Sequence, residues 1–283
     1  MNDLFQQIKQ NFKNGDASIK LIFISVGVFL VSTLLDFFIF KKLGTLLHDY
    51  FAAKGTIEAF FSQPWGVLTY SFFHGGLFHL AMNMLMIYFV GKLFLRYFRS
   101  ENFLTFYFYG ALFGAIAFMA AAPLLNYGSF LLGASAAIYS VFFGLVSYIP
   151  KTKVQLAFIN INIPLDYIAY ALLAYDFIMI LSNDNVGGHI SHLGGAAFGF
   201  LYMKQFEKGN DFLGGIIHSL FYRTKKVKQK TYTSPPRDDY EFNAHKVDKQ
   251  KKVDKILDKI SKSGYESLSK EEKDFLFNAG KNG

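Results

Sequence analysis

The chain of 283 residues has no cysteine. That absence removes disulfides, a thiol nucleophile and any thiolate-bound metal, and it says nothing more about the redox compartment. Charge is also scarce: 18% of residues are Asp, Glu, Lys or Arg, where a soluble domain carries about a quarter. In their place stand 52% apolar and 18% aromatic residues, with a mean hydropathy of +0.24. Such a composition excludes intrinsic disorder, a collagen-like fibre and a disulfide scaffold. No cleavable signal peptide is expected. The apolar run after residues 1–17 is too long for an h-region, and no small-residue cleavage site follows it.

The few charges are unevenly placed. Residues 207–283 hold 17 of the 29 Lys and Arg and 12 of the 21 Asp and Glu. A long apolar body followed by a charged tail is the pattern of an integral membrane protein with a soluble extension. The pI of 9.3 is accordingly read as membrane topology, with no nucleic-acid partner expected. About 20 apolar residues are needed for a helix to cross a bilayer. Six runs are read as spans: Ile19–Phe40, Leu77–Leu95, Phe103–Leu125, Gly133–Ile149, Pro164–Leu181 and His189–Phe206. Most are too long for strands and lack period-two alternation.

Lys92, Arg96 and Arg99 follow span two, Lys151 and Lys153 follow span four, and Lys204 and Lys208 close span six. By the positive-inside rule these ends are cytoplasmic. The opposite loops carry only Asp184, whereas Lys41, Lys42 and Lys54 in the apolar 41–76 loop oppose the assignment. An even number of spans puts both termini with the basic tail, so spans two, four and six start on the external side.

The expected organisation is a cytoplasmic N-terminal segment (1–18), a six-helix membrane domain (19–206), an interfacial helix with a basic linker (207–246), and a helical hairpin tail (247–283). Phe212–Tyr222 is too short to span and is read as interfacial. Lys225–Lys230 is a basic stretch that anionic lipid attracts. In the tail, Val253, Ile256, Leu257 and Ile260 have helical spacing, Gly264 fits a helix stop, and Ser269 with Glu272 forms a capping box. The tail is a candidate binding site for an unidentified cytoplasmic partner.

Three polar features fall at the external ends of the even-numbered spans: Gly133-Ala134-Ser135, the pair His79 and Asn83 one turn apart, and His192 followed by Gly195 and Gly199. Taken singly, each is ordinary packing or an interhelical hydrogen bond. Polar groups inside a membrane are costly, however, and tend to be functional. A serine hydroxyl needs an adjacent base, and imidazole titrates near the working pH. Ser135 starts a helix, where free N–H groups and the dipole favour a developing oxyanion. Gly195 and Gly199 would let span six approach span four closely enough to bring His192 to Ser135. Tyr139, one turn below Ser135, would pack on the imidazole.

With these residues in hand, the chain resembles the rhomboid intramembrane serine proteases over about residues 60–205. The resemblance rests on His79-Leu-Ala-Met-Asn83, on Gly133-Ala134-Ser135 with Tyr139, and on His192-Leu-Gly-Gly195-Ala-Ala-Phe-Gly199. Phe72–Gly76 resembles the usual lead-in to span two, and Trp65 sits where the family carries a Trp-Arg pair. The resemblance implies an all-α polytopic membrane protein with a six-transmembrane-helix rhomboid-like bundle. It also implies Ser135 as nucleophile, His192 as general base, and an oxyanion site from His79, Asn83 and the Ser135 N–H, with Tyr139 and Gly133 in support. The expected partners are the lipid bilayer and transmembrane segments of substrate proteins. The expected setting is a bacterial inner (plasma) membrane with both termini cytoplasmic, and no cofactor or metal is expected. Two residues depart from the family pattern: Gly66 stands for the arginine and Ala136 for the glycine after the serine.

Asp176 and Asp184 are the nearest carboxylates for a third catalytic member. Asp176 falls midway along span five and Asp184 in a loop, so neither is assigned. Ser191 is a rival hydroxyl, but neighbours in sequence do not face each other on a helix. The alternatives are an inactive rhomboid-like protein that binds membrane clients, and a metal-binding transporter built on His74, His79, His189 and His192. The transporter reading lacks carboxylates facing those histidines.

Overall fold

The computed structural model describes residues 2–38, 43–125, 130–155, 161–221 and 252–281, and the chain divides into two compact units, Met1–Arg223 and Thr224–Gly283. The first unit opens with α1 (Asn2–Asn14), α2 (Ala17–Phe38), α3 (Leu43–Phe51), β1 (Ala53–Lys54), α4 (Ile57–Ser62) and α5 (Gly66–Thr69), followed by a 3-10 turn at Tyr70–Phe72. It continues through α6 (Leu77–Phe94), α7 (Ser100–Leu125), β2 (Phe130–Leu131), α8 (Ser135–Tyr148), β3 (Lys153–Gln155), β4 (Asn162–Pro164), α9 (Leu165–Leu181), α10 (Val186–Phe206) and α11 (Gly214–Phe221).

Three of these helices, α2, α6 and α7, are long and apolar enough to cross a membrane. Helix α8 is apolar but shorter, and α9 has 17 residues. Helix α10 has 21 residues, and its histidines, serine and glycines dilute its hydropathy. Large apolar side chains face outward, among them Phe78 on α6 and Tyr170, Phe177 and Leu181 on α9. Water would not tolerate such a surface, but lipid does.

The centre of the unit is α8, whose residues Ala136–Ser147 are all buried. Helices α7 and α10 pack on it most extensively, α2 packs on α6, and α9 lies against α10. Small residues permit the close approaches. A methyl added at Gly110 would meet the Ser140 side chain, and one at Gly91 would meet Ser18. Two buried hydroxyls between helices are satisfied by backbone acceptors. Ser140 Oγ donates to Phe106 O at 2.8 Å and Tyr70 Oη to Ala111 O at 2.9 Å.

Several expectations need correction. The unit is mostly helical rather than purely so, because two short antiparallel ladders form: β1 with β2 and β3 with β4. Two- and three-residue strands leave no periodicity to read. The polar N-terminus is helical as α1, and the 41–76 loop contains three short helices and a strand. Helix α8 begins at Ser135, two residues after the expected start, and α10 begins at Val186, three residues before it.

In the second unit, a helix α12 covers 252–263, a 3-10 turn covers Tyr265–Ser267, and α13 covers Lys270–Lys281. Gly264, at φ 77°, follows α12. The Ser269 and Glu272 capping box is present. Glu272 N donates to Ser269 Oγ at 3.2 Å, and Ser269 N donates to Glu272 Oε2 at 2.7 Å. The stretches Lys225–Lys230 and Ser234–Asp239 and residues 247–251 of the tail lie outside the described residues.

Candidate active site

Helix α8 starts where a remote segment ends. Strand β2 pairs with β1, with Ala53 opposite Leu131, and Gly133 N donates to Tyr70 O at 3.0 Å. Gly133 then turns the chain at φ +115°, a conformation that side chains with a Cβ rarely adopt. Space forbids a larger residue too, since an added Cβ would lie 2.6 Å from His79 Nε2. The His79 ring therefore lies against the turn that delivers Ser135. As the first residue of α8, Ser135 has an N–H with no acceptor within the helix.

His192 reaches Ser135 because α10 approaches α8 at bare backbone. A methyl at Gly195 would sit 2.1 Å from Ala136 O, and one at Gly199 would sit 2.0 Å from Ser140 O. At that separation His192 Nε2 lies 2.8 Å from Ser135 Oγ, a hydrogen bond. The Tyr139 ring stacks on the imidazole, with centroids 4.4 Å apart and planes at 21°. Ser191, the rival hydroxyl, donates to Gly188 O on its own helix.

Asn83 is buried, and its Nδ2 donates to His79 O at 2.8 Å. One of its two amide hydrogens is used there, which leaves one for another acceptor. The Ala136 side chain, fully buried, faces α7, where a methyl at Gly114 would lie 2.6 Å from its Cβ. Its methyl thus serves the α7–α8 contact. Gly66 packs against Ala52 O, 2.4 Å from where a Cβ would be, so no arginine fits there. The loop is fixed by other groups: Trp65 Nε1 donates to Tyr50 O at 2.9 Å, and Thr69 Oγ1 to Phe51 O at 2.8 Å. His74, in the connection before α6, is fully buried beside His79, with ring centroids 5.2 Å apart. Burial, helped by the neighbouring His79, pushes its pKa down to about 4.

Sequence reasoning passed over Asp176. Its side chain is fully buried, and Oδ1 lies 2.9 Å from His192 Nδ1 and 2.7 Å from His189 Nδ1. Its depth along α9 does not keep it from the site, because α10 also carries its histidines inward from its start at Val186. A seven-residue spacing from buried Ala169 puts Asp176 on the inner face of α9. Ala169 is one apolar residue among many along α9, so its burial marks that face only once the fold is known. Asp184 is exposed in the turn between α9 and α10.

Asp176, His189 and His192 are also a candidate metal-ligand set, with ligand-type atoms within 4.8 Å of one another. The fit is poor. Zinc at about 2.1 Å from each ligand holds tetrahedral neighbours roughly 3.4 Å apart. Here Asp176 Oδ1 is 2.7 and 2.9 Å from the two Nδ1 atoms, which are direct hydrogen-bond lengths. A groove of about 750 Å³ lies between α8, α9 and α10 at their ends remote from Ser135, bordered by Lys151, Asp166 and Lys204.

The rhomboid-domain family model matches residues 62–206, which is half of the chain and contains Ser135, His192, His79 and Asn83. The chain belongs to the rhomboid family. A curated relative, "RHOMBOID-like protein 12, mitochondrial" of Arabidopsis thaliana, is 30% identical over 158 residues, covering 50% of this chain and 46% of the relative. The chain thus spans about half the length of that relative. Residues 238–279 match a family of unknown function, DUF6576. The rhomboid match ends at Phe206, the last residue of α10, so the rhomboid part and the tail are distinct in sequence as well as in the structure.

Proposed function

We propose that this rhomboid is an intramembrane serine endopeptidase that cleaves transmembrane helices of other membrane proteins near the external face. The observation that carries the reading is the 2.8 Å contact between Ser135 Oγ and His192 Nε2. In the reaction, Ser135 Oγ bonds to the scissile carbonyl carbon while its proton passes to His192 Nε2. The carbonyl oxygen becomes an oxyanion held by the Ser135 N–H, with His79 and the free Asn83 amide hydrogen as side-chain donors. His192 then returns the proton to the leaving amine nitrogen as the C–N bond breaks. Water repeats the sequence on the acyl-enzyme, giving the free acid and the Ser135 hydroxyl. Tyr139, stacked on the imidazole, and Gly133, which shapes the turn, act as supports.

The depth of the site follows from helix length. Fourteen residues at about 1.5 Å each give a helix of roughly 21 Å, against about 30 Å of hydrocarbon. Ser135 is thereby recessed below the surface, so water must enter from the external side. A substrate helix has to unwind locally to present its carbonyl, which favours small residues around the scissile bond. We read the six apolar helices α2, α6, α7, α8, α9 and α10 as six spans, with both termini cytoplasmic in a bacterial inner membrane. The second unit is read as a helical hairpin, a site for an unidentified cytoplasmic partner.

The competing reading is a client-binding protein without activity. Labelling with a serine-directed fluorophosphonate separates the two. Wild type is expected to label, and Ser135→Ala and His192→Ala are expected not to. Cleavage of a fluorescent transmembrane substrate should fall by at least about 10³-fold in either variant. Equal processing by Ser135→Ala would exclude the protease.

A further inference from the structure

The acid that the sequence left unassigned stands next to the base. We propose that Asp176 is a positioning residue for His192, making Ser135, His192 and Asp176 a relay drawn from three helices, with His189 holding the carboxylate in place. The proposal rests on the protease reading above.

Hydrogen counting supports it. An ionised carboxylate only accepts hydrogen bonds. Asp176 Oδ1 contacts the Nδ1 atoms of both His189 and His192, so each of those nitrogens carries a proton. His192 is then the Nδ1–H tautomer, and its Nε2 lone pair faces the Ser135 hydroxyl at 2.8 Å. This is the tautomer a general base needs. When Nε2 takes the serine proton, the imidazolium faces the Asp176 carboxylate, and the carboxylate remains ionised.

The second histidine has its own part. A single carboxylate on a helix can rotate about its side-chain torsions. The His189 contact at 2.7 Å gives Oδ1 a fixed second donor, one turn before His192 on the same helix. The two imidazoles meet edge to face, with centroids 5.4 Å apart. The Tyr139 ring stacks on the face of His192. The base is thus fixed by a hydrogen bond at each nitrogen and by a ring on one face.

Burial adds weight. Asp176 has 0% exposure, and a carboxylate inside a membrane bundle is costly unless it is put to use. Its contact is worth more there than in water, because the local dielectric is low. A bland alternative is that Asp176 merely ties α9 to α10.

The test uses the full chain in detergent. Asp176→Asn keeps the side-chain shape but removes the charge and the forced tautomer. It is expected to lower kcat by about 10²–10⁴-fold, with KM within about threefold of wild type and Tm little changed. As a second readout, ¹⁵N-histidine-labelled Ser135→Ala protein should show a low-field Nδ1–H proton resonance from His192. That resonance should vanish in the Asp176→Asn and His192→Ala versions. If Asp176→Asn fails to fold, absence of the resonance from the Asp176-containing protein would still overturn the proposal. Wild-type-like kcat in Asp176→Asn, or a kcat loss that merely follows lost stability with the resonance retained, would overturn it too. A wild type that neither labels nor cleaves sinks the protease reading, whereas activity that survives Asp176→Asn sinks only this one.

Discussion

His74 shows how one buried side chain links stability to pH. Its pKa is pushed down from 6.5 to about 4, by burial first and then by His79. The folded protein therefore keeps His74 neutral at pH values where the unfolded chain would protonate it. Stability from this group is full above about pH 6.5, falls as pH drops through the window, and levels off near pH 4. Thermal melts in detergent between pH 7 and pH 4 should show a steeper loss for wild type than for His74→Gln. Parallel slopes would mean that His74 protonates equally in both states. At the same scale, Gly66 and Ala136 depart from the family pattern without disturbing the Ser135–His192 hydrogen bond: one packs against the Ala52 backbone, the other against α7.

Among the elements, the decisive contact is that of α10 with α8. It depends on two glycines whose missing side chains leave room for the carbonyl oxygens of Ala136 and Ser140. Gly199→Ala is expected to push the helices apart and to cost about 1–3 kcal/mol, read as a fall in Tm together with lost fluorophosphonate labelling. Gly215, in α11, has nothing within 4 Å of an added Cβ. Gly215→Ala should leave labelling intact and gain up to about 1 kcal/mol from helix propensity. The same two results in reverse would mean that close α8–α10 packing does not set the Ser135–His192 contact. The β1–β2 ladder acts at this scale as well, since it ties the loop before α6 to the approach to α8.

For the molecule as a whole, topology can be tested directly because the chain has no native cysteine. Single cysteines placed at exposed Asp184 and exposed Lys153 should behave oppositely toward an impermeant maleimide. Asp184→Cys is expected to label from outside intact cells and Lys153→Cys only after permeabilisation. Labelling of both from one side would contradict six spans with cytoplasmic termini. Asp16 and Lys92 pair at 2.8 Å, which brings the start of α2 and the end of α6 to the same side of the bundle. Burial pushes the Asp16 carboxyl up, but hydrogen bonds from Lys92, Ser18 and the Ile19 N–H outweigh it and hold the pKa below 3.8.

Much of this protein was legible from residue order alone, because helices are local. Apolar runs of sufficient length, a capping box at Ser269 and polar residues at helix starts are properties of neighbouring residues. Even the approach of α10 to α8 was foreshadowed, since Gly195 and Gly199 leave one helix face bare. What order could not supply was the meeting of segments far apart in the chain. Strand β1 joins β2 across an interval too long for any pattern to record, and two-residue strands have no period. Asp176 reads along the chain as a stray charge at mid-span. Only the packing of α9 on α10 turns it inward to within 2.9 Å of the His192 imidazole, because the depth and rotation of one helix relative to another are set by side-chain packing between them.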